Sequence, residues 1–556
     1  MANPDIQHTA VSHPGPLDKV PSSCFPLPLS AHCRINLSLY IDFLKDHPDP
    51  QTVEFLVSGF TFGFRVGFIA GITPGRKMPL SSSKDVSNDI STAILKELNR
   101  GHTKGPFVTP PFEVFHLSPL GGVPKPDGTI RVILDLSSPR GSSINDGISK
   151  EAFSVRYTKF DDAVQLAASP SGKFMGKRDI RHAFRLCPIH PEDWPLMVYW
   201  WKGKYYVDIV LPFGLRSSPF IFNTFADSLE WIARNKKGIE NMLHYLDDYF
   251  FTGATFAICQ QEMTQFDRMC NELDIPLAED KKEGPSETIT FLGIEIDTSN
   301  RCCRLPDKKL EDLLNILKDW GNRSTTSKRE LLSLIGSLSF AAKVVKPGRT
   351  FMRRLIDLSS SVVELSDMID LSEPALEDIK WWSSFAPGWN GVAFFQDPVV
   401  TSEHLNFFTD ASGFGLGALF GSKWFSLSLP MALHGTPIHL LEFCAVAMAV
   451  ITWSSDLTNK QIVISSDNLD IVQVWQSGTC KDKLLMSLVR KLFLFIADKN
   501  INILLVHLPG KDNVLADLLS RLQVGKFMSL AESPSPNPSV VPEEAWSFLD
   551  LIETAC

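Results

Sequence analysis

The sequence lacks a membrane-spanning stretch, a signal peptide and any cysteine pair spaced for a metal. A spanning helix needs about 20 apolar residues, and the longest nearly apolar stretch, Phe443 to Trp453, follows directly on Glu442. Residues 1–30 are rich in Pro, Ser and His and have no apolar signal core. The ten cysteines are scattered, with no CxxC pair. We therefore expect a reduced, intracellular protein of the cytoplasm and/or nucleus, without structural zinc and without a membrane partner.

The composition is that of an ordinary globular protein, but its charge is unevenly distributed. With 556 residues, 44% of them hydrophobic, several domains are expected. The net charge of −9 alone argues against a nucleic-acid partner. However, the segment from Arg301 to Arg354 contains thirteen Lys/Arg against five Asp/Glu. This local excess predicts a surface that follows a phosphate backbone, and the alternative is a solvated helical face.

The N-terminal third predicts helices and a basic hairpin. Residues 36–71 indicate short helices that are interrupted at His47-Pro48-Asp49-Pro50, and residues 87–100 indicate an amphipathic helix. The turn signal Lys125-Pro-Asp-Gly128 then lies between two β-rich arms, with Arg131 in the second arm. Lys125 and Arg131 could contact a triphosphate there, or they could be ordinary surface charges on an exposed hairpin.

Two adjacent aspartates, Asp247 and Asp248, lie between apolar runs within residues 242–251. This pattern predicts a β-hairpin with a charged turn and buried arms. Neighbouring carboxylates repel each other, and an unpaired buried one costs several kcal/mol. The pair is therefore either a solvated turn or a site for divalent cations. A third aspartate, Asp179, ends a strand-like segment earlier in the chain.

The elements around these aspartates predict an α+β sheet with helices on one face. A turn-rich loop at residues 209–219 contains Phe213 and Gly214. We predict helices at residues 220–233 and 256–273, and a strand at residues 289–296. The order is strand with aspartate, helix, Asp-Asp hairpin, helix and strand.

This succession of motifs resembles the reverse transcriptases. Five of the family's motifs occur in order over about 180 residues: the lone aspartate of the first palm motif (Asp179), the LP-x-G-x-x-x-SP loop (LPFGLRSSP), the YxDD box (Tyr245 to Asp248), the following lysine motif (Lys281-Lys282) and the primer-grip hairpin (Phe291-Leu-Gly293).

The resemblance implies a polymerase site that uses two Mg²⁺ ions, with Mn²⁺ as an alternative. Asp179, Asp247 and Asp248 would be the metal ligands, because hard cations prefer carboxylate oxygens. The first two are predicted to bridge the ions, and Asp248 is predicted to be less essential. By the same resemblance, Lys125 and Arg131 would hold the β- and γ-phosphates of the incoming nucleotide.

Phe184 lies five residues after Asp179, where the family has a bulky aromatic residue under the sugar. A ring there would exclude a 2′-hydroxyl and select dNTPs; the alternative is a core phenylalanine. Phe213 and Gly214 belong to the family's substrate-binding loop. Since Phe213 replaces the glutamine of the retroviral enzymes, the hydrogen bond that this glutamine makes is not expected.

A second acidic group follows in the C-terminal third. Asp410, Glu442, Asp467 and Asp517 are 32, 25 and 50 residues apart, and each lies at the end of an apolar element, with Glu442 at the head of an apolar helix. The arrangement resembles ribonuclease H, whose four carboxylates hold two metals that activate water against an RNA phosphodiester. His507 corresponds to the family's mobile histidine, which aids proton transfer or product release.

The N-terminal DHPDP and GFTFGFRVGF segments, the GGVPKPDG hairpin and the segment from Ala341 to Arg349 resemble the DIRS-type retrotransposons, which use a tyrosine recombinase. A gypsy-type element is the alternative lineage, because the LPFGL segment is shared with it. The sequence shows no Asp-Thr/Ser-Gly protease motif, zinc-binding integrase head or zinc knuckle. The implied partners are an RNA template, a DNA primer, RNA/DNA hybrid, dNTPs and a separately encoded recombinase or integrase. The rival hypothesis is a domesticated or inactive copy that only binds nucleic acid.

The predicted fold class is an α+β polymerase right hand (fingers, palm and thumb) followed by a connection and an α/β ribonuclease H-like domain. The predicted division is a disordered tail (1–35), a helical cap (36–110), fingers and palm (111–300), thumb and connection (301–395), the ribonuclease H-like domain (400–522) and a C-terminal tail (523–556).

Overall fold

The computed structural model describes residues 34–69, 87–124, 130–390, 407–458, 460–478, 480–499 and 501–554. The chain divides into two compact units, residues 1–292 and residues 293–556. The division falls between Leu292 and Gly293, whose φ angles are both positive, 47° and 77°. Within the described ranges, no helix is long and apolar enough to cross a membrane.

The described part of the first unit contains helices and antiparallel strands in alternation. Its helices are α1 (Leu37–Phe43), α2 (Pro50–Phe62), α3 (Ser87–Asn99), α4 (Phe160–Ala168), α5 (Ser218–Lys237) and α6 (Phe256–Glu272). Its strands are β1 (Thr103–Phe107), β2 (Leu120–Pro124), β3 (Ile130–Leu134), β4 (Phe174–Asp179), β5 (Val198–Trp201), β6 (Lys204–Asp208), β7 (Met242–Tyr245), β8 (Asp248–Gly253), β9 (Glu283–Ser286) and β10 (Thr288–Phe291).

The central sheet of this unit has the strand order β7-β8-β4-β9, with antiparallel pairing throughout. Helices α5 and α6 pack against it. Tyr249 and Phe251 of β8 are fully buried and contact Phe266 of α6, at ring-centroid distances of 4.7 and 5.1 Å. Burying three large aromatic side chains contributes several kcal/mol, and this core fixes the strand that begins at Asp248.

Two local predictions for this unit need correction. Residues 289–296 are not one strand, because the left-handed residues Leu292 and Gly293 end β10 before the next strand begins. Helix α5 starts at Ser218 rather than at residue 220. Pro219 does not delay it, since a proline in the first turn has no N–H to leave unpaired.

The described part of the second unit begins with helices and short hairpins and continues into a larger sheet. Its helices are α7 (Asp307–Trp320), α8 (Lys328–Ala341), α9 (Arg353–Ser360), α10 (Glu373–Trp389), α11 (Ile438–Thr452), α12 (Ser454–Leu457), α13 (Leu469–Ser477), α14 (Lys483–Asp498), α15 (Val514–Ser520), α16 (Val524–Leu530) and α17 (Glu543–Glu553). Its strands are β11 (Ile294–Asp297), β12 (Cys302–Arg304), β13 (Thr325–Ser327), β14 (Met368–Asp370), β15 (Phe407–Ala411), β16 (Gly415–Phe420), β17 (Lys423–Ser428), β18 (Gln461–Ser466) and β19 (Asn502–His507).

The segment from Arg301 to Arg354 has less unpaired positive charge than the count of its residues predicts. Helix α8 begins with a capping box, in which Ser327 and Glu330 are hydrogen-bonded reciprocally. Four of the arginines, however, form ion pairs within the unit: Arg304 with Glu295 and Asp297, Arg323 with Asp319 and Glu330, Arg353 with Asp357, and Arg354 with Glu377 and Asp378. Five of these seven acids lie outside the segment from Arg301 to Arg354, and only Asp319 and Glu330 lie within it.

The five-stranded sheet, with its helices, forms the C-terminal α/β domain. Its strand order is β17-β16-β15-β18-β19. The first three strands are antiparallel, and β15, β18 and β19 are parallel. Helix α11 is buried from Leu440 to Ile451 and packs against β15. Asp410 lies near the end of β15, and Asp467 directly follows β18. The sheet thus brings both residues next to this helix.

The predicted C-terminal tail is folded onto this domain. Phe527 of α16 is fully buried against Trp424, with ring centroids 5.3 Å apart. Helix α17 buries one apolar face, made of Ala545, Phe548, Leu549 and Ile552. The Ser/Pro-rich composition of residues 533–542 suggested a tail, but the i, i+3, i+4 and i+7 spacing in α17 predicts a helix with a buried face.

Candidate active sites

The strands β4 and β8 bring the three palm aspartates together. Asp179 is the last residue of β4 and is the direct cross-strand partner of Asp248, the first residue of β8. Tyr245 pairs with Asp248, so the turn consists of Leu246, with a φ of 55°, and Asp247. The N–H of Ile180 donates to the carbonyl of Asp247 at 2.9 Å. The predicted hairpin is confirmed, and its turn lies one residue earlier than the Asp-Asp pair.

The electrostatics of this group favour a cation. Burial, together with the charges of Asp247 and Asp179, raises the pKa of Asp248 to about 6. Lys281 Nζ donates to Asp179 Oδ2 at 2.6 Å. Partial burial lowers the pKa of Lys281, but its hydrogen bond to Asp179 and the nearby carboxylate charges outweigh burial and leave that pKa raised. Lysine thus already supplies one positive charge to the acidic group.

A cavity of about 730 Å³ opens beside the hairpin. Asp179, Asp247 and Lys281 line it, as do Phe184 and Phe213. A cavity of this size lies within the ~300–1,000 Å³ range of small-molecule sites. Two of the three predicted metal ligands, the predicted sugar-selecting ring of Phe184 and the loop aromatic Phe213 therefore line one cavity.

Two left-handed residues, His182 (φ 75°) and Ala183 (φ 40°), turn the chain between Asp179 and Phe184. The half-buried Phe184 ring contacts Phe213 and Phe222, each at a centroid distance of 5.5 Å. Phe184 thus has both a face on the cavity and aromatic neighbours, which are the two roles considered for it from the sequence.

The structure describes the other residues predicted to contact the nucleotide only in part. Gly214 is exposed with a φ of 95°, and its carbonyl accepts from Asn145 Nδ2 at 2.8 Å. Within the described ranges it is absent from the cavity lining. Lys125 lies outside the described residues. Of Arg131 the backbone is described, on β3 opposite Val123.

The second acidic group converges in the C-terminal α/β domain. Asp410 lies on β15, Asp467 follows β18, and Glu442 lies one turn inside α11 rather than at its head, since the helix begins at Ile438. One carboxylate oxygen from each of these three residues lies within 4.8 Å of the others. Within the described ranges, no other three acidic, histidine or cysteine side chains approach so closely, so Asp517 and the palm aspartates are more widely spaced.

Burial perturbs this group strongly. Desolvation, together with the neighbouring carboxylates, raises the pKa of Glu442 to about 9 and that of Asp410 to about 7. The N–H of Ala411 donates to Glu442 Oε1 at 3.1 Å, whereas Glu442 Oε2 is buried without a hydrogen-bond partner in the described structure. An unpaired buried oxygen among like charges fits a site that holds a divalent cation.

The remaining two predicted residues lie at the edge of this group. Asp517, on α15, pairs with Arg521 at 2.6 Å. His507 is the exposed last residue of β19 and is aligned with Ser466, the residue before Asp467. The sequence therefore identified the strand ends correctly, and the structure distinguishes a tight set of three acids from a fourth that is held by an arginine.

Besides Arg521, sequence reasoning missed three polar side chains that contact the carboxylates. Lys281 was recognised as part of a motif but not as the partner of Asp179. Asn513 and Ser520 both contact Asp410. Helical spacing could have indicated the last two, because they lie four residues before and three residues after Asp517.

Comparison with known proteins identifies the domain that contains the first group of acids. Residues 123–296 match the family model described as reverse transcriptase (RNA-dependent DNA polymerase). The chain contains a reverse transcriptase domain. Its bounds include Asp179, Asp247, Asp248, Phe184 and the whole β4-β8 pairing.

The relatives of this reverse transcriptase domain are retroelement polyproteins. The Pro-Pol polyprotein of simian foamy virus type 1 is 28% identical over 231 residues, which cover 41% of this chain and 18% of that protein. The transposon Tf2-3 polyprotein of Schizosaccharomyces pombe is 20% identical over 465 residues, 81% of this chain and 31% of that protein. The chain thus spans less than a third of the length of either relative.

A solved structure supports the fold. The foamy viral protease-reverse transcriptase in complex with dsDNA has a TM-score of 0.50 and 17% sequence identity, covering 89% of this chain and all of that one. The predicted fold class is confirmed: a polymerase right hand that contains the reverse transcriptase domain, followed by an α/β domain.

Proposed function

We propose that this chain is an RNA-directed DNA polymerase with ribonuclease H activity that replicates a DIRS-type retrotransposon. The observation that carries the polymerase proposal is the cross-strand pairing of Asp179 with Asp248 beside Asp247, in a reverse transcriptase domain whose cavity is also lined by Phe184. The close set of Asp410, Glu442 and Asp467 supports the second activity.

In the polymerase reaction, the primer 3′-hydroxyl would attack the α-phosphorus of a dNTP and pyrophosphate would leave, so positioning and charge neutralisation dominate. Mg²⁺ ions, with Mn²⁺ as an alternative, would stabilise the attacking and leaving oxygens. Asp179, Asp247 and Asp248 would hold them. Phe184 would lie under the sugar and exclude the 2′-hydroxyl, and Lys125 and Arg131 would bind the β- and γ-phosphates.

In the ribonuclease H reaction, water would hydrolyse a phosphodiester in the RNA strand of an RNA/DNA hybrid. Asp410, Glu442 and Asp467 would hold the metal ions, and Asp517 would complete the ligand set. For this, the Asp517 carboxylate would give up part of its contact with Arg521. His507, exposed at the end of β19, would assist proton transfer or product release.

The proposed partners are an RNA template, a DNA primer, RNA/DNA hybrid and dNTPs, together with a separately encoded recombinase. The Tf2-3 relative, a transposon polyprotein, supports a retroelement origin. The DIRS-type assignment rests on the N-terminal and hairpin motifs of the sequence. A tyrosine recombinase reading frame beside the gene is the expected finding, and a retroviral-type integrase frame would instead favour the gypsy-type lineage.

The polymerase proposal is tested by dNTP incorporation on poly(rA)/oligo(dT) with Mg²⁺. We expect incorporation by the wild type and at least a hundredfold loss in Asp247→Asn. Asp280→Asn is the matched control, because Asp280 is an exposed acid that pairs with Arg181. A wild type that binds the duplex but incorporates nothing would support a domesticated nucleic-acid-binding protein.

The ribonuclease H proposal is tested with a labelled RNA strand annealed to DNA. We expect Mg²⁺-dependent cleavage by the wild type and its loss in Asp410→Asn. Asp470→Asn, three residues after Asp467 on the exposed face of α13, is the control that removes the same charge outside the group. Cleavage that persists unchanged in Asp410→Asn would show that the assigned acids are not the metal ligands.

A further inference from the structure

The hydroxyl of Ser520 contacts Asp410, one of the three close acids of the second site. Ser520 Oγ lies 2.5 Å from Asp410 Oδ2, and both side chains are buried. The same hydroxyl lies 3.0 Å from the carbonyl of Asp517. A serine has one proton to donate, and a carboxylate accepts a shorter and stronger bond than a carbonyl. Ser520 therefore donates to Asp410.

The position of Ser520 is fixed by the packing of α15 against β16. A Cβ on Gly417 would lie 2.4 Å from the backbone nitrogen of Ser520, and a Cβ on Gly415 would lie 2.8 Å from its carbonyl oxygen. Ser412 Oγ also donates to that carbonyl at 2.8 Å. The helix can approach the strand this closely only because these two strand residues have no side chain.

The other end of α15 holds the same carboxylate. Asn513 Nδ2 donates to the carbonyl of Thr409 at 3.0 Å and lies 3.4 Å from Asp410 Oδ1. The two oxygens of Asp410 are thus contacted from the two ends of one short helix, which also carries Asp517. This arrangement restricts rotation of the Asp410 carboxylate.

We propose that Ser520 is a positioning residue that orients Asp410 toward Glu442 and Asp467 for divalent-cation binding. The proposal rests on the proposed ribonuclease H function and adds a residue to it. Groups that hydrogen-bond a metal ligand typically change metal affinity or activity by about 10–100-fold when they are removed. Ser520 meets this description, although it would not itself contact the ion or the RNA.

The test compares Ser520→Ala with Ser426→Ala in the full chain. Ser426 Oγ donates to the carbonyl of Leu519 at 2.6 Å, so it anchors the same helix without touching a carboxylate. Fe²⁺ with ascorbate and hydrogen peroxide breaks the backbone near a bound ion. The fragments that end near residue 410 therefore measure occupancy of this site separately from the palm site.

We expect Ser520→Ala to raise the Fe²⁺ concentration for half-maximal cleavage of the chain by about 10–100-fold. The Mg²⁺ concentration for half-maximal hybrid cleavage should rise by a similar factor, with a smaller change in the rate at saturating Mg²⁺. Ser426→Ala should stay within about threefold of wild type. Ser520→Thr, which keeps the hydroxyl, should restore the half-saturation values.

Equal shifts in the two alanine variants, or no shift in Ser520→Ala, would overturn the proposal. Thermal unfolding checks that the variants fold. Should Ser520→Ala not fold, Ser520→Cys, which has a similar volume and a weaker donor, gives the same comparison. If the wild type cleaves no hybrid, the ribonuclease H proposal fails, whereas the Fe²⁺ measurement still decides the role of Ser520.

Discussion

At the scale of single residues, the burial of Glu442 makes the stability of the folded protein depend on pH. Its pKa rises from 4.5 to about 9 on folding. Between these values the folded protein keeps a proton that the unfolded chain has lost. Stability therefore falls as the pH rises through this window, at up to about 1.4 kcal/mol per pH unit. A bound divalent cation would oppose the loss by neutralising the same oxygens.

We predict that Glu442→Gln stabilises the metal-free protein at pH 8 and changes its stability little at pH 4.5. Glutamine cannot lose a proton, so the fall in stability above pH 4.5 disappears. Thermal unfolding with EDTA at the two pH values is the measurement. The control is Glu532→Gln, which alters an exposed side chain. Equal effects of Glu442→Gln at both pH values would mean that Glu442 does not keep its proton.

Phe184 gives a prediction about substrate choice. We expect Phe184→Ala to lower the preference for dNTP over rNTP by about 10–100-fold, measured as the ratio of kcat/KM values, because the ring would no longer oppose a 2′-hydroxyl. Phe256→Ala, at a ring that is 54% exposed, is the matched control. An unchanged ratio with reduced stability would assign Phe184 to the core formed with Phe213 and Phe222.

The acids of both sites could be found from the sequence, because they lie in or beside apolar segments and follow one another in the order of known motifs. The side chains that hydrogen-bond these acids could not be assigned from the sequence. Lys281 lies 102 residues from Asp179 along the chain, and Ser520 lies 110 residues from Asp410. Such contacts depend on how strands and helices pack. Helical spacing places Ser520 near Asp517, but it does not show that Ser520 contacts Asp410. The same limit explains why the count of charges from Arg301 to Arg354 left out five of the seven acids that pair with its arginines.

At the scale of elements, the glycines of β16 set the distance between a strand and a helix. We predict that Gly417→Ala destabilises the C-terminal α/β domain by about 1–3 kcal/mol, the usual cost of overpacking. Its added carbon would meet the backbone of α15 at 2.4 Å, and backbone cannot rotate away. Urea unfolding measures the loss.

Gly413→Ala is the control for this prediction, since a Cβ there meets nothing within 4 Å. Because Gly417 is also the strand partner of Asp410, the Gly417 variant should lose hybrid cleavage as well. A Gly417→Ala protein as stable as Gly413→Ala would show that α15 packs less closely than described.

Elements with strong local patterns were predicted well. The Asp-Asp hairpin and the helices α1, α2, α3 and α6 follow from apolar runs, caps and prolines that act within a few residues. The break at Leu292 was missed because a leucine in the left-handed region costs energy that only the surrounding fold can supply. Helix α17 was missed because neighbouring serines and prolines obscured its apolar spacing.

At the scale of the whole molecule, residues 523–556 belong to the C-terminal α/β domain. Phe548, Leu549 and Ile552 of α17 are between 0% and 3% exposed. Each such side chain contributes about 1.5–3 kcal/mol when buried. Their sum is comparable with the total stability of a typical domain.

We predict that a chain ending at Leu522 has an unfolded C-terminal α/β domain. Limited proteolysis should cut it within residues 407–522 at protease concentrations that the full chain resists, and hybrid cleavage should be lost. A chain that lacks only residues 554–556 keeps the buried face of α17 and should behave as wild type. Equal protease resistance of the two shortened chains would contradict the assignment of α16 and α17 to the domain core.

The order of the domains along the chain was predictable because their motifs follow one another in the sequence, and the fold class follows from that order. The end of the second domain was not, since the last recognisable acid, Asp517, precedes the final packing helices. A motif marks where chemistry occurs, whereas a domain ends where its core is closed.

Residues 535–539 have a consequence for synthesis of the protein. The N–H groups of Ser535 and Ser539 donate to the carbonyls of Ser422 and Trp424 beside and within β17, an edge strand of its sheet. An uncovered edge strand can pair with another chain. Since this segment follows every strand of the sheet in the sequence, a ribosome must translate past it before the edge is covered. Slow translation just before Ser535 would therefore favour aggregation of nascent chains.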